Sequence, residues 1–195
     1  MQQLKNKLRY DIENLNFIAL DVETANSSKS SICSLGLVTV KNGKIINSEE
    51  YLIKPKDLYF NLINTRIHGI TAEQVRHSPE FVEIWKIIAP KILESLVIAH
   101  NTDYDIPAIH GALGQYGITK PQITHACTLR LCRYFFPKLS SHKLSHIADH
   151  LGFQLNHHNA LSDAETAAKI AIHTIPKVGI EAFNLENENI THNLR

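Results

Sequence analysis

Two acidic side chains, Asp21 and Glu23, end a short apolar run that begins at Phe17. If that run is a β-strand, residues two apart point to the same face, so the two carboxylates project together while Val22 faces the other way. Neighbouring carboxylates repel each other, and placing them side by side is costly unless a cation lies between them. The pair indicates a cation site, although strand ends are also often acidic simply because they are exposed to water.

A second group of polar residues begins at His100, where a buried apolar run, Leu96 to Ala99, gives way to a helix. This is the carboxyl end of a strand, where α/β proteins commonly place their sites. Asp105 is the candidate site residue here, and its alternative role is that of a first-turn acid stabilised by the helix dipole. Asp103 competes with it but is better explained as the helix N-cap. His100 and Asn101 either contact a substrate or only order the loop.

The third group pairs a histidine with an acid five residues later, His158 and Asp163, across the predicted start of a long helix. One side of this helix carries only small residues, which lets it approach the sheet closely: Ala164, Ala167, Ala168 and Ala171. Asp163 is thereby carried toward the edge that bears Asp21 and Glu23. Each group alone is weak evidence for a site, whereas the three groups in this order indicate one strongly.

Together the three groups resemble the exonuclease motifs of the DEDDh family, reading D-x-E-T from Asp21, H-N-x-x-Y-D from His100 and H-x-A-x-x-D-A from His158. This family includes the proofreading epsilon subunit of bacterial DNA polymerase III and ribonuclease T, and it has a ribonuclease H-like fold. The similarity runs from about Phe17 to Ile175, nearly the whole chain. Further matching segments are Ile67 to Thr71, Cys127 to Leu129, and Lys143-Leu144.

The resemblance implies a 3′→5′ exonuclease that hydrolyses phosphodiester bonds from the 3′ end of single-stranded DNA or RNA and releases 5′-mononucleotides. It implies that four acids bind two divalent metal ions, Mg²⁺ or Mn²⁺: Asp21, Glu23, Asp105 and Asp163. These metals prefer hard oxygen ligands, and two of them about 4 Å apart suit phosphodiester hydrolysis. The resemblance also implies that His158 is the general base, since the sister branch has tyrosine four residues before the last aspartate and position 159 is asparagine.

Substrate contacts are predicted beside the acidic pair. The resemblance suggests that Thr24 meets the terminal nucleotide, and Tyr104 is expected to belong to the core rather than to stack on a base. The sequence reads Thr24-Ala25-Asn26 where many relatives have Thr-Thr-Gly. These differences lie in the pocket for the terminal base. The resemblance therefore does not predict whether this chain prefers DNA or RNA.

The order of the predicted elements places the three groups on a mixed sheet. Three opening strands are predicted at Phe17 to Asp21, Ile32 to Val40 and Ile45 to Ile53, with a strong hairpin signal at Lys41-Asn42-Gly43-Lys44. Two more strands, Leu96 to Ala99 and Ile123 to Thr128, are separated by a helix from about Tyr104 to Tyr116. Other helices are expected at Thr71 to His77, at Pro79 to Leu93 and over most of Leu129 to Phe183. The fold class is therefore α/β, a mixed five-stranded sheet flanked by helices, in agreement with the ribonuclease H-like fold that the resemblance implies.

The composition fits one compact domain. The chain has 195 residues, of which 44% are hydrophobic and 20% charged, enough for a substantial core. We predict a single exonuclease domain over residues 1–195, with a core over about 17–183 and a polar tail over about 184–195. A formal net charge of +1 argues against a broad basic surface that coats duplex nucleic acid, but a strand end can be held where bound metals supply positive charge.

The predicted location is the cytoplasm, without membrane attachment. The segment Met1 to Asn16 has no apolar region of the secretory kind, and the apolar runs are too short to span a bilayer. The three cysteines fit no disulfide framework, which suits a reducing compartment: Cys33, Cys127 and Cys132.

A zinc site is one alternative, because His142, His146 and His150 lie four residues apart, with Cys127 and Cys132 not far off in sequence. None of these sets has the paired Cys-x-x-Cys spacing of a structural zinc site. Solvent-exposed helix histidines are the better explanation.

A second alternative is a non-catalytic module that only captures strand ends, since fold does not fix function. An inactive relative is expected to lack an acid or the histidine, and all five positions are filled here. Because epsilon subunits carry a long C-terminal extension and this chain ends soon after the predicted core, a free-standing exonuclease is favoured over a proofreading subunit. Association with a polymerase and homodimerisation stay open.

Overall fold

A mixed five-stranded sheet lies at the centre of the computed structural model, which describes residues 13–178. The strands are β1 (Phe17–Thr24), β2 (Ile32–Lys41), β3 (Lys44–Leu52), β4 (Val97–Ala99) and β5 (His125–Cys127). Their order in the sheet is β3-β2-β1-β4-β5. The first three strands pair antiparallel, whereas β4 runs parallel to β1 and β5 runs parallel to β4. The predicted fold class is confirmed.

Seven helices within residues 13–178 surround the sheet. They are α1 (Leu62–His68), α2 (Ala72–Val75), α3 (Phe81–Leu93), α4 (Thr102–Gly114), α5 (Thr128–Phe135), α6 (Leu144–Leu151) and α7 (Ala160–Val178). Large apolar side chains of α3 and α4 fill the core on one face of the sheet. The other face packs mainly against the alanines of α7, with α5 at its side. The prediction of helices on both faces is confirmed.

Strand β1 divides its side chains between the two faces. Ile18, Leu20 and Val22 point into the core shared with α3 and α4, and Phe17 and Ala19 point toward α7. Since side chains alternate along a strand, the next odd-numbered positions continue the α7 face. The two acids at positions 21 and 23 therefore lie on the side of the sheet that α7 covers, and both are half-buried.

The close approach of α7 depends on small residues in both elements. A Cβ atom added at Gly36 of β2 would lie 2.2 Å from the carbonyl oxygen of Ala160, at the start of α7. Ala164, Ala168 and Ala171 are fully buried against the sheet beyond this point. Glycine and alanine thus let the first turn of α7 rest directly on the middle of the sheet.

The hairpin between β2 and β3 forms as predicted. Asn42 and Gly43 have positive φ values of 51° and 68°, the backbone conformation that Asn-Gly favours in tight hairpin turns. Helix α2 begins with a capping box, because the Thr71 hydroxyl accepts from the Gln74 backbone amide while the Gln74 side chain accepts from the Thr71 amide.

Several predicted boundaries were wrong. Strand β1 continues to Thr24, so the acidic pair lies within the strand and not at its end. Helix α4 begins at Thr102 with Asn101 as its N-cap, so the assignment of Asp103 as the N-cap was wrong. Strand β5 is shorter than predicted, and α1 was missed although Asn61 and Gly69 flank it as N-cap and C-cap residues.

No helix within the described range is both long and apolar enough to cross a membrane. The predicted polar tail over about 184–195, and the end of the predicted core beyond residue 178, lie outside the described residues.

Candidate active site

Three of the predicted site acids meet where β1 passes under the first turn of α7. Carboxylate oxygens of Asp21, Glu23 and Asp163 all lie within 4.8 Å of one another. Asp21 and Glu23 come from the α7 face of β1, and Asp163 is buried in the first turn of α7. The strand alternation and the close approach of α7 bring these side chains together.

The fourth acid, Asp105, reaches the same place from α4. This helix begins directly after β4, the parallel neighbour of β1. The Asp105 side chain is buried, and its Oδ1 accepts a hydrogen bond of 3.2 Å from the backbone amide of Val22, between the two acids of β1. The negative charge of Asp105 acts on both Asp21 and Glu23. The structure therefore brings all four predicted acids to one place.

Burial and mutual repulsion make these acids difficult to ionise without a cation. Burial, together with the charges of neighbouring acids, raises the pKa of Asp21 well above its usual range and that of Glu23 to about 8. Burial also raises the pKa of Asp105 to about 7, against the opposing effect of hydrogen bonds from backbone amides. Within residues 13–178, no lysine or arginine forms an ion pair with any of the four. A set of clustered oxygen donors without a lysine or arginine partner fits a hard divalent cation.

Two adjacent histidines, His157 and His158, stand beside Asp163. Nδ1 of His157 donates to the Asp163 carboxylate, with 3.0 Å to Oδ2, and the backbone amide of His158 donates to the same oxygen at 3.2 Å. The two imidazole rings stack with centroids 3.8 Å apart. Sequence reasoning had given no role to His157, and the only available signal was its position next to the motif histidine.

The backbone of His158 has an unusual conformation, with a φ of +66°. Positive φ is uncommon outside glycine, although asparagine and histidine adopt it more readily than most residues. Burial, together with the charge of His157, lowers the pKa of His158 despite the opposing effect of Asp163. The imidazole is therefore neutral at neutral pH, the form that accepts a proton.

His100 anchors a loop. Its Nε2 lies 2.9 Å from the carbonyl oxygen of His142, and since a carbonyl only accepts, this nitrogen carries the proton. Its Nδ1 lies 3.0 Å from the Thr128 hydroxyl. Burial lowers the pKa of His100 to about 4, so the ring is neutral. Both ring nitrogens are thus engaged within the protein, although the ring borders the cleft together with Asn101.

Thr24 is buried and its hydroxyl has protein partners. Its Oγ1 lies 2.7 Å from the Tyr104 hydroxyl, and Nδ2 of Asn64 donates to the Thr24 carbonyl oxygen at 2.7 Å. The prediction that Tyr104 belongs to the core was wrong, because this side chain is 37% exposed and lines the cleft. Helix α4 begins two residues earlier than predicted, so Tyr104 lies in its first turn, with its hydroxyl against that of Thr24. Asn64 was missed together with helix α1.

Three of the four acids line one open cleft of about 600 Å³: Asp21, Glu23 and Asp163. The other lining residues come from the start of α4 and the two residues before it, from α5, from the segment that joins α5 to α6, and from the two histidines before α7. Its basic lining residues are Arg133 and Lys143, neither of which had been assigned to the site. The size lies in the range of clefts that hold small molecules or the end of a larger one.

The histidine stripe considered for zinc is divided between environments. His142 precedes α6, and its Nε2 lies 2.9 Å from the Phe136 carbonyl oxygen. His146 and His150 are exposed on α6, and the His150 ring packs edge-on against Phe136. Within residues 13–178, the groups of possible metal ligands contain neither these histidines nor a cysteine.

Comparison with known proteins identifies the family. The sequence model of the RNase T exonuclease family matches residues 18–171, which include all five predicted catalytic positions. The chain belongs to this exonuclease family. The predicted family and the predicted enzyme class are thereby confirmed. Members of the family depend on divalent metal ions.

Among the similar proteins is a PolC-type DNA polymerase III of Caldanaerobacter subterraneus, 30% identical to this exonuclease-family chain over 178 residues. The match covers 86% of the chain but 12% of the polymerase, so the chain spans only a small part of that relative's length.

Solved structures share the fold of this exonuclease-family chain. One is exonuclease X in complex with duplex DNA that has a 5′ overhang, with a TM-score of 0.66 and 21% identity, covering 89% of this chain and 94% of that one. Another is the zinc-bound form of Escherichia coli exonuclease I with single-stranded DNA, with a TM-score of 0.73 and 16% identity, covering 87% of this chain and 42% of that one.

Proposed function

We propose that this chain is a metal-dependent 3′→5′ exonuclease that releases 5′-mononucleotides from single-stranded nucleic acid. The convergence of four buried or half-buried carboxylates without a lysine or arginine partner among the described residues carries this proposal. Three of them share a space in which their oxygens lie within 4.8 Å. A stable arrangement of this kind needs positive charge from outside the chain.

Asp21, Glu23, Asp105 and Asp163 would hold two divalent cations, of which Mg²⁺ is the first choice and Mn²⁺ the second. When bound, such ions supply Lewis-acid stabilisation of the charge that develops on phosphoryl and leaving-group oxygens. The chain's own contribution is to orient the carboxylates. The Val22 amide fixes Asp105, and the His158 amide together with the His157 ring fixes Asp163.

His158 is proposed as the general base that takes a proton from the attacking water. Its lowered pKa leaves the imidazole neutral and able to accept. The ring of His157 is less suited to this role, because its Nδ1 already donates to Asp163. In this arrangement His157 orients the acid and, by stacking, the ring of its neighbour.

DNA is the proposed substrate in preference to RNA. The PolC-type relative is a DNA polymerase, and the two structural neighbours are complexes with DNA. Thr24 lies beside the acids, and its hydroxyl contacts that of Tyr104. This location supports the proposal that Thr24 lies next to the terminal nucleotide of the bound strand. Removal of nucleotides from 3′ ends fits both an editing role with a polymerase and a free-standing role. Copurification with a polymerase would support the editing role over the free-standing role.

The deciding experiment is degradation of a single-stranded oligonucleotide labelled near its 5′ end. We expect a ladder shortening from the 3′ end and 5′-mononucleotides as products in Mg²⁺ or Mn²⁺, and no degradation with EDTA. Matched DNA and RNA strands run in parallel test the substrate preference. Binding of the strand without product under either metal would contradict the proposal and would identify a binding module instead.

A matched control separates the site acids from acidic residues in general. Asp103 lies in the same first turn of α4 as Asp105, but it is exposed and pairs with Arg130 at 2.9 Å. Asp105→Asn should abolish degradation, whereas Asp103→Asn should retain it. Equal loss in both variants would contradict the assignment of Asp105.

A further inference from the structure

The cleft is lined by acidic side chains from β1 and α7, and by side chains of α5 and of the segment before α6. We call the part formed by α5 and this segment the basic wall. It carries two cationic side chains: Arg133, in the last turn of α5, and Lys143, directly before α6. Both are exposed. Positive charge is thus concentrated at one border of a cleft in a chain whose net charge is only +1.

Neither cation is neutralised within the described part of the chain. No ion pair or side-chain hydrogen bond to an acid is formed by Arg133 or Lys143 within residues 13–178. By contrast, Arg130, one turn earlier on α5, makes two hydrogen bonds of 2.9 and 3.0 Å to the Asp103 carboxylate. The charges of Arg133 and Lys143 therefore remain available to an anion in the cleft.

The segment that carries Lys143 is held in place by hydrogen bonds within the protein. The His100 ring binds the His142 carbonyl oxygen, and the His142 ring contacts the carbonyl oxygen of Phe136. The Lys143 amide donates to the Ser141 hydroxyl at 3.3 Å. The basic wall is therefore a fixed part of the cleft, with its backbone oriented before any ligand arrives.

We propose that Arg133 and Lys143 form a phosphate subsite that binds a phosphate of the strand other than the one being cleaved. This inference rests on the proposed function, in which the scissile phosphate lies at the four acids. A single strand carries one negative charge per nucleotide, so a cationic side chain beside the phosphate next to the scissile one strengthens binding by releasing its counterion. The subsite makes the enzyme select oligonucleotides over esters that contain a single phosphate.

The test compares two substrates on the same protein. The p-nitrophenyl ester of thymidine 5′-monophosphate has one phosphate and reports on the acids alone, whereas a single-stranded oligodeoxynucleotide reports on the acids and the subsite together. The variants are Arg133→Gln, Lys143→Gln and the double substitution. Lys138→Gln is the matched control, because Lys138 is an exposed lysine of the same segment that does not line the cleft.

We expect the double variant to lose about 10-fold or more in kcat/KM on the oligonucleotide, mainly through KM, while its kcat/KM on the ester stays within about 2-fold of wild type. The slope of log kcat/KM against log salt concentration should become shallower by about 0.7 for each phosphate that the variant no longer binds. Lys143→Arg, which keeps the charge, should retain most of the oligonucleotide activity. The control should match wild type on both substrates.

An equal loss of kcat/KM on the two substrates would overturn the subsite, because it would show that Arg133 and Lys143 act in the chemical step or in folding. Unchanged oligonucleotide kinetics in the double variant would overturn it as well. If wild type hydrolyses neither substrate, the proposed function fails. In that case, fluorescence anisotropy of the labelled strand tests the subsite separately from catalysis. The subsite is supported only if the double variant binds the strand more weakly than both wild type and Lys138→Gln.

Discussion

Carboxylates on two strands of the same sheet have opposite surroundings. On β3, Glu49 receives hydrogen bonds from Lys91 and Tyr51, at 2.6 and 2.8 Å. Although partial burial alone would raise its pKa, these bonds and the lysine charge lower it. On β1, Glu23 has other acids as neighbours, and burial with their charges raises its pKa to about 8.

The contrast separates two uses of a charged side chain. A carboxylate that is paired within the chain contributes modestly to stability, in the manner of a partly exposed salt bridge. Carboxylates that are clustered without a lysine or arginine partner oppose folding in their ionised form, because they repel one another. A cation bound from outside the chain removes this repulsion. This contrast supports the proposed assignment of the acids of β1 and α7 to the active site, whereas Glu49 forms a structural contact.

Asp21→Asn tests this contrast most strongly. Loss of a proposed metal ligand should reduce exonuclease activity by more than about 100-fold, since loss of an outer-shell partner of a metal already costs about 10- to 100-fold. The same variant should unfold at a higher temperature than wild type in EDTA at about pH 8, because one repelling charge is gone.

Glu49→Gln is the matched control for Asp21→Asn. It should keep its activity and lose at most about 1 kcal/mol of stability, because an exposed or partly exposed ion pair is worth little more. Activity assays and thermal unfolding of both variants provide the comparison. A lower melting temperature for Asp21→Asn in EDTA would show that the acidic cluster is not a source of repulsion.

His158→Asn removes the proposed base and leaves the acids in place. Asparagine is chosen because it tolerates the positive φ at this position. We expect kcat to fall by about 100-fold or more, the usual size of a general-base contribution, with little change in melting temperature. Calorimetric titration with Mn²⁺ should give an affinity near that of wild type. A kcat within a few-fold of wild type would remove His158 from the mechanism.

Gly36→Ala disturbs the contact that brings Asp163 to β1. The added Cβ would lie 2.2 Å from the Ala160 carbonyl oxygen, so α7 must shift, with a loss of about 1–3 kcal/mol of stability as in other overpacked cores. Gly114→Ala is the control, because a Cβ there meets nothing within 4 Å. Thermal unfolding should show a lower melting temperature for Gly36→Ala and not for Gly114→Ala. A native-like melting temperature for Gly36→Ala would contradict the tight packing of α7.

The two kinds of carboxylate should respond to pH with opposite signs. The pKa of Glu23 is raised, so its contribution to stability is full below the unfolded value of about 4.5 and is lost as pH rises toward about 8. The pKa of Glu49 is lowered, so its contribution is present above the unfolded value and is lost as pH falls. Unfolding curves in EDTA should therefore show a metal-free protein that loses stability between about pH 5 and 8. Glu23→Gln should weaken this decline, and an unchanged slope would contradict the electrostatic assignment.

Much of the sheet could be predicted because its signals are local. The Asn42-Gly43 turn forms the first hairpin, and the alternation along β1 predicts that Asp21 and Glu23 share a face. Helix α1 was missed because its seven residues bury no side chain, so no apolar periodicity marks it. Tyr104 was misplaced because an aromatic residue near a helix start gives no sign of which face it occupies.

The sequence by itself determined the chemical types and their order along the chain: two acids two residues apart, an acid after the fourth strand, and a histidine five residues before the last acid. Only the tertiary structure decided that Asp21, Glu23 and Asp163 share one space beside Asp105, and that Arg133 and Lys143 line the same cleft. It also decided that His157, and not only His158, contacts Asp163. The physical reason is that distances between these groups depend on how closely α7 packs on the sheet and on the loop before α6, and such long-range contacts leave no local pattern in the sequence.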